Sequence, residues 1–181
     1  MERTGVSRTP VREGLRSLEA EGLVISRRGR GTYITYRLSP EEAQLIYECR
    51  LVLEPYITRL AAERITDEEL AAVESCLQAF SSATAADPYE AGQLDADFHL
   101  SIYAASRSEL TGVLRGYWSR MQLELSGRVY GAEVPRRFYT EHVGIFDALA
   151  AHDGAQAAER MHRHIEHGRK ALAKALRASG S

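Results

Sequence analysis

The first 37 residues predict one helix followed by a β-hairpin. Val11, Leu15 and Leu18 recur at helical spacing, with Thr9 in the N-cap position and Gly22 as a typical helix end. Two short runs rich in β-forming residues follow on either side of a basic turn: Leu23–Ser26, the turn Arg27–Gly31, and Thr32–Tyr36. A helix that leads into a basic hairpin is typical of a winged helix.

From residue 38 to residue 178 the apolar spacing is helical almost throughout. Six helices are predicted, which begin near Pro40, Thr66, Pro88, Ser108, Pro135 and Asp153. We expect a kink or break in the first of them before Pro55. The predicted fold is therefore mainly α: a partial winged helix-turn-helix domain over residues 1–37, then an all-α antiparallel helical bundle over residues 38–178.

The charge is distributed unevenly between these two predicted domains. Residues 1–37 contain eight arginines and four glutamates, whereas the other 144 residues hold 15 basic and 21 acidic groups. A basic segment on an acidic body favours a polyanionic partner for the basic part. Charge alone fits a solvated arginine-rich tail equally well.

The chain contains no apolar run of the roughly 20 residues that a membrane-spanning helix needs. Its N-terminus also lacks the apolar core of a signal peptide. The two cysteines, Cys49 and Cys76, are far apart in helical sequence and are expected to be buried, reduced thiols. These observations predict a cytoplasmic protein without a membrane partner.

The start of the first helix combines two hydroxyls, two guanidiniums and a helix N-terminus within residues 7–12. Such groups contact DNA phosphates and, for arginine, the guanine edge. The stretch GVSRTPVREGLRSLEAEGLV followed by RRGRGTYI resembles the GntR family of bacterial transcription regulators. In that family the recognition helix and the wing tip contact operator DNA, which implies DNA contacts by Ser7, Arg8, Thr9, Arg12, Arg28 and Gly29.

The resemblance has one departure ahead of the recognition helix. Members of the family carry the first helix and most of the second before this point, where this chain has only Met1 to Gly5. Three explanations stay open: a fragment, a wrongly assigned start, or a regulator in which DNA binding is lost or impaired.

All six histidines lie after residue 98. Asp95 and His99 are four residues apart on one predicted helix, His142 lies on another, and the last helix carries His162, His164 and His167. A carboxylate and imidazoles from three helices are the donor types of a divalent-metal site. Spacing alone fits partnered core or surface histidines as well, and it does not separate His162 from His164.

Three strings, Asp95-Ala-Asp-Phe-His99, Glu141-His142 and Met161-His-Arg-His164, resemble the FCD ligand-binding domain of the FadR-like GntR subfamily. The resemblance covers about residues 39–176, and six helices are similar to its VanR-type arrangement. It implies a divalent metal such as Zn²⁺, Ni²⁺ or Mn²⁺ held by Asp95, His99, His142 and His164. His167 is expected to be solvated.

The FCD resemblance departs after the third body helix. The family usually has Ala-Ser-Gly-Asn there, and this chain has Ala105-Ser-Arg-Ser108. We expect the change to affect a helix cap rather than the metal site.

Arg50 lies in a stretch that is apolar on most sides, and a half-buried arginine needs an anionic partner. Two partners stay open. One is Glu54, four residues later, in an internal ion pair. The other, which the family suggests, is the carboxylate of an effector bound beside the metal. Trp118 is expected to pack in the core.

The sequence therefore predicts a metabolite-responsive DNA-binding regulator, a repressor and not an enzyme. Its expected partners are a palindromic double-stranded operator, a small organic-acid effector and a second copy of the chain in a homodimer. Two alternatives are a metal-dependent hydrolase or lyase, with Asp97 or Glu141 as general base, and a truncated ligand-binding dimer without DNA binding.

Overall fold

The computed structural model describes residues 7–21, 23–27, 31–34, 39–82, 88–125 and 134–179. Contacts within the chain divide it into two compact units, Met1–Arg37 and Leu38–Ser181. The mainly helical fold class that the sequence predicts is confirmed.

The first unit contains one helix and a two-stranded antiparallel sheet, α1 (Arg8–Ala20), β1 (Val24–Arg27) and β2 (Gly31–Ile34). Val24 pairs with Ile34 and Arg27 with Gly31. The helix and the sheet are joined through Glu19, whose Oε1 accepts a hydrogen bond of 2.8 Å from the Ser26 backbone N–H.

The predicted N-cap of the first helix is wrong by two residues. Ser7, not Thr9, has the extended backbone of an N-cap, and the helix begins at Arg8. Pro10 then occupies the third helical position instead of the first. This position tolerates proline because the first N–H groups of a helix have no acceptor within it.

The described part of the second unit forms six helices: α2 (Pro40–Arg64), α3 (Asp67–Ser82), α4 (Pro88–Ala105), α5 (Thr111–Leu125), α6 (Val134–Ala150) and α7 (Gly154–Ser179). The first begins with a complete capping box, in which Ser39 Oγ accepts from the Glu42 N–H at 3.1 Å and Glu42 Oε2 accepts from the Ser39 N–H at 2.9 Å. The two longest helices, α2 and α7, pack along each other.

Of the kink or break expected before Pro55, the break is wrong, because α2 continues through this proline to Arg64, and the kink stays a prediction. A proline inside a helix removes one backbone hydrogen bond. The residues around it are nevertheless fixed by packing, since Glu54 and Ile57 are both fully buried. Tertiary contacts here outweigh the local preference of the chain.

The core of the bundle is built from large apolar side chains such as Phe98, Ile102, Leu114, Ile145, Leu149, Met161 and Ile165. Several ionisable side chains are buried in the same core, which is unusual without compensating partners. The two cysteines are free, as expected, but half-buried rather than buried. In the described part of the chain, no helix has both the length and the hydropathy that crossing a bilayer requires.

Candidate metal centre

Four buried side chains from three helices meet in the core of the bundle. Asp95 and His99 come from α4, His142 from α6 and His164 from α7. Each offers one donor atom, and these atoms lie within 4.8 Å of one another. The spacing of four residues places Asp95 and His99 on the same side of α4, while packing of the helices brings in the other two. The structure thus brings together all four of the predicted ligands.

The three imidazole rings point the same nitrogen into the centre of this cluster. His164 Nε2 lies 3.1 Å from His99 Nε2 and 3.3 Å from His142 Nε2. The carboxylate of Asp95 completes the group, with its Oδ1 3.2 Å from His142 Nε2. Three ring nitrogens and one carboxylate oxygen therefore converge on one small volume.

Acceptors on the far side of His164 determine which of its nitrogens carries the proton. His164 Nδ1 lies 2.9 Å from Glu141 Oε2. An ionised carboxylate only accepts hydrogen bonds, so the neutral ring carries its proton on Nδ1. The lone pair on Nε2 then points into the cluster, as it does in histidines that bind metals.

His142 is held by stacking. Its ring lies between Phe98 and Phe80, with centroid separations of 4.2 Å and 5.0 Å. Its Nδ1 is buried and has no hydrogen-bond partner among the described residues. Aromatic packing therefore positions this ring, whereas a carboxylate positions His164.

Burial favours neutral rings in this centre. Removal from water lowers the pKa of His142 to about 3, although a hydrogen bond to Asp95 opposes the change. Burial also lowers the pKa of His99. Burial alone would raise the pKa of Asp95, but the hydrogen bond from His142 and the nearby histidines lower it below its usual value. The ionised carboxylate of Asp95 thus faces the neutral imidazoles of His99 and His142.

This donor set fits a divalent cation. A buried negative charge facing neutral rings is costly without a compensating positive charge. Lone pairs on ring nitrogens 3.1 Å apart also repel unless a proton or a cation lies between them. Neutral imidazoles and a carboxylate are ligands that zinc, nickel and manganese accept.

Arg50 is buried beside this centre in an ion pair with Glu54. Its Nε contacts Glu54 Oε1, its Nη2 lies 3.4 Å from Glu54 Oε2, and its guanidinium stacks 4.3 Å from the Trp118 ring. Burial would raise the pKa of Glu54, but Arg50 outweighs it and lowers this pKa to about 2. The internal ion pair that the sequence left open is present, and the effector role of Arg50 stays a prediction.

Two carboxylates next to the cluster were not predicted as its partners. Glu54 Oε2 lies 3.5 Å from His99 Nδ1, and Glu141 contacts both His164 and His167. The sequence predicts Glu141 only as a candidate general base. Spacing along the chain could not reveal these contacts, because each joins two different helices.

The expectation that His167 is solvated is wrong. It is half-buried, and its Nδ1 lies 2.7 Å from Glu141 Oε1. His162 is exposed, so the structure separates it from the buried His164 as periodicity alone could not. Asp97, the other candidate base, is also exposed and accepts a hydrogen bond from Gln93.

The departure at Ala105–Ser108 lies at a helix end, as expected. Arg107 has a positive φ of 54°, a conformation that glycine adopts most easily. Its Nη1 donates to the carbonyl oxygens of Ala105 and Arg64 at 2.7 Å and 3.0 Å, and its Nη2 pairs with Glu69 at 3.1 Å. These contacts cap helix ends away from the metal ligands.

The predicted DNA contacts lie at the start of α1. Ser7, Thr9 and Arg12 are exposed, and the Ser7 side chain makes no capping hydrogen bond. Arg8 is the first residue of the helix. An exposed helix N-terminus with hydroxyl and guanidinium groups matches the geometry with which recognition helices meet the major groove. The other two predicted contacts, Arg28 and Gly29, lie outside the described residues.

Comparison with known families agrees with both units. The model described as "Bacterial regulatory proteins, gntR family" matches residues 1–34, and the model described as "FCD domain" matches residues 45–167. The chain belongs to the GntR family of transcription regulators and carries an FCD domain. The four clustered ligands all lie within the FCD match.

Three curated relatives extend over most of the chain. LutR of Bacillus subtilis, an HTH-type transcriptional regulator, is 32% identical over 180 residues, covering 88% of this chain and 82% of LutR. A putative L-lactate dehydrogenase operon regulatory protein of Escherichia coli is 30% identical over 184 residues, covering 89% and 70%. The galactonate operon transcriptional repressor of E. coli is 28% identical over 177 residues, covering 86% and 76%.

The solved structure of E. coli McbR/YncC has the same fold, with a TM-score of 0.75 over 96% of this chain and 83% of that one, at 24% identity. The three curated relatives are all named as regulators. The chain is thus a DNA-binding regulator and not an enzyme, and the hydrolase or lyase alternative is set aside.

Proposed function

We propose that this regulator is a cytoplasmic repressor whose bundle binds a divalent metal through Asp95, His99, His142 and His164, and through the metal a small carboxylate. One observation carries the proposal: three Nε2 atoms and a carboxylate oxygen converge in a buried site. Zn²⁺, Ni²⁺ or Mn²⁺ fits these donors.

A bound metal would supply a docking point for an anionic effector. Four protein ligands leave open positions on a metal that prefers six. A carboxylate is a suitable hard donor for such positions, and the site is walled by aromatic rings such as Trp118 and Phe138. Two of the relatives are named for operons of L-lactate dehydrogenase and galactonate, and both names refer to hydroxy acids.

Arg50 would assist from the same side of the bundle. Its Nη1 faces the sulfur of Met121 at 3.6 Å, which is a weak acceptor. A carboxylate could take this position without displacing Glu54 from the other two guanidinium nitrogens. The effector role of Arg50 is therefore compatible with its ion pair.

An exposed apolar stripe supports the homodimer. Leu45, Val52 and Tyr56 are 60%, 73% and 48% exposed, and their spacing of seven and four residues places them on one face of α2. Val113 on α5 is also exposed. A continuous apolar face of this kind marks an interface, and a two-fold dimer would match the two half-sites of a palindromic operator.

DNA binding would use the exposed start of α1 and the wing. Ser7, Arg8, Thr9 and Arg12 would meet phosphates and base edges, and Arg28 and Gly29 would extend the contact from the wing. The effector would change DNA affinity only by binding unequally to the two arrangements of the dimer. A repressor of this kind acts by occupying its operator.

Metal content provides the direct test. Purified full-length protein should contain nearly one equivalent of metal per chain by elemental analysis, and His142→Ala should lose it. His162→Ala is the matched control, because it removes an exposed histidine from α7 and should keep the metal. Metal absent from the wild type, or retained by His142→Ala, would contradict the proposed site.

The effector is tested on DNA from upstream of the protein's own coding sequence. L-lactate and galactonate should change the affinity in a gel-shift assay for the wild type, and the change should disappear in His142→Ala. An equal response in both proteins would place the effector elsewhere.

A further inference from the structure

We propose that Glu54 is a positioning residue for the metal centre: it stabilises the ring proton of His99 on Nδ1, the tautomer whose Nε2 lone pair can bind the metal. The role in metal binding rests on the proposed function. The tautomer itself does not, because it is a property of the metal-free chain.

The geometry places two oxygen atoms at the outer nitrogen of His99. Tyr103 Oη lies 3.0 Å from His99 Nδ1, and Glu54 Oε2 lies 3.5 Å from the same atom. The other nitrogen, Nε2, lies 3.1 Å from His164 Nε2 inside the cluster. Whichever nitrogen carries the proton therefore decides whether this ring can bind a metal.

Hydrogen-bond directions around Tyr103 decide the tautomer. Trp118 Nε1 donates to Tyr103 Oη at 3.4 Å, and the tyrosine hydroxyl has one proton to give. The carboxylate of Glu54 attracts that proton more strongly than a neutral ring nitrogen does, since hydrogen bonds to ionised acceptors are about twice as strong. The Tyr103 hydroxyl hydrogen-bonds the Glu54 carboxylate. With its proton directed there, the tyrosine oxygen can accept from His99, which favours the ring proton on Nδ1.

Loss of the Glu54 carboxylate would reverse the direction of the hydrogen bond between His99 and Tyr103. Without the negative charge, the Tyr103 hydroxyl can donate to His99 Nδ1. The ring proton would then reside on Nε2 and block the metal position. Glu54 thus acts both directly and through Tyr103.

A second, exposed ion pair on α2 can be compared with the buried pair of Arg50 and Glu54. Arg59 and Glu63 have the same spacing of four residues but are roughly half exposed, whereas Arg50 and Glu54 are buried. Burial of an ion pair is stabilising at best by a small margin relative to apolar residues of similar size. A role for Glu54 at His99 accounts for a charged pair at this position, which stability alone does not.

The tautomer is measured in metal-free, full-length protein by ¹⁵N NMR of the imidazole rings. The share of the His99 tautomer that is protonated on Nδ1 should be larger in the wild type than in Glu54→Gln. Zn²⁺ affinity, measured by competition with a chelator, should fall about 10- to 100-fold in Glu54→Gln. Glu63→Gln is the matched control and should leave both measurements unchanged.

A folded Glu54→Gln that keeps both the wild-type balance of His99 tautomers and the wild-type Zn²⁺ affinity would overturn the proposal. If Glu54→Gln does not fold, Arg50→Met combined with Glu54→Met removes the pair and keeps its volume, and the same loss of Zn²⁺ affinity is expected. Wild-type protein that binds none of Zn²⁺, Ni²⁺ and Mn²⁺ would refute the proposed metal site, while the NMR measurement still decides the role of Glu54.

Discussion

The start of α1 and the centre of the bundle use basic side chains in opposite surroundings. Thr9 and Arg12 are exposed on α1, where a phosphate can reach them and salt can screen them. Arg50 and the histidines of the cluster are buried, where each polar group depends on a fixed partner in the protein. Exposed charges attract a partner over a distance and do not need one fixed orientation. Buried charged and polar groups depend on exact positions of their partners, so a small change there has a large effect.

The largest effect is expected from breaking the buried ion pair. Arg50→Met leaves Glu54 buried without its cation and should lower the free energy of unfolding by about 3–5 kcal/mol. Arg59→Met, the exposed counterpart, should cost about 0–1 kcal/mol. Urea denaturation of metal-free protein measures both. Equal effects of the two substitutions would show that burial does not distinguish the pairs.

Stabilisation by metal should be the next largest effect. Zn²⁺ at 100 times its Kd should stabilise the wild type by about 2.7 kcal/mol in thermal unfolding, because it binds the folded state. Asp95→Asn removes the charged ligand and should abolish the gain. Asp97→Asn, an exposed neighbour on α4, is the control and should keep it. A Zn²⁺-dependent gain that survives in Asp95→Asn would remove this residue from the site.

The bundle could be predicted from sequence largely because its helix starts are local signals. The capping box at Ser39 and Glu42 depends on side chains three residues apart, and it forms as expected. The continuation of α2 through Pro55 was not predictable in this way. It depends on buried neighbours such as Ile57, which pack against other helices.

The candidate site shows the same division. The pair Asp95 and His99 follows from helical spacing, and the family motif selects His164 over His162. Glu54 could be paired with Arg50 by spacing, but its approach to His99 joins α2 to α4 and has no local signal. Partners of metal ligands are therefore harder to predict from sequence than the ligands themselves.

A smaller effect is expected at the exposed start of α1, where it would appear as a loss of DNA affinity. Arg12→Ala should weaken binding to the upstream DNA by about 1–3 kcal/mol, because it removes a guanidinium from the recognition helix. The matched control is Arg115→Ala on α5, which removes the same charge from an exposed position of the bundle. Fluorescence anisotropy at several salt concentrations separates the two. A loss of the same size in both variants would indicate a general charge effect.

The smallest change in the free energy of unfolding is expected for substitutions of Arg107, whose contacts are exposed or only partly buried. Arg107 has a positive φ, which costs about 1 kcal/mol in a residue with a side chain, and its guanidinium offsets this by bonding to carbonyl oxygens of Ala105 and Arg64. Arg107→Gly removes strain and contacts together, so the free energy of unfolding should change by less than about 1 kcal/mol. Arg107→Ala keeps the strain and should be about 1 kcal/mol less stable than the glycine variant. Both should bind Zn²⁺ as the wild type does, and a changed Zn²⁺ affinity would show that this helix end reaches the metal centre after all.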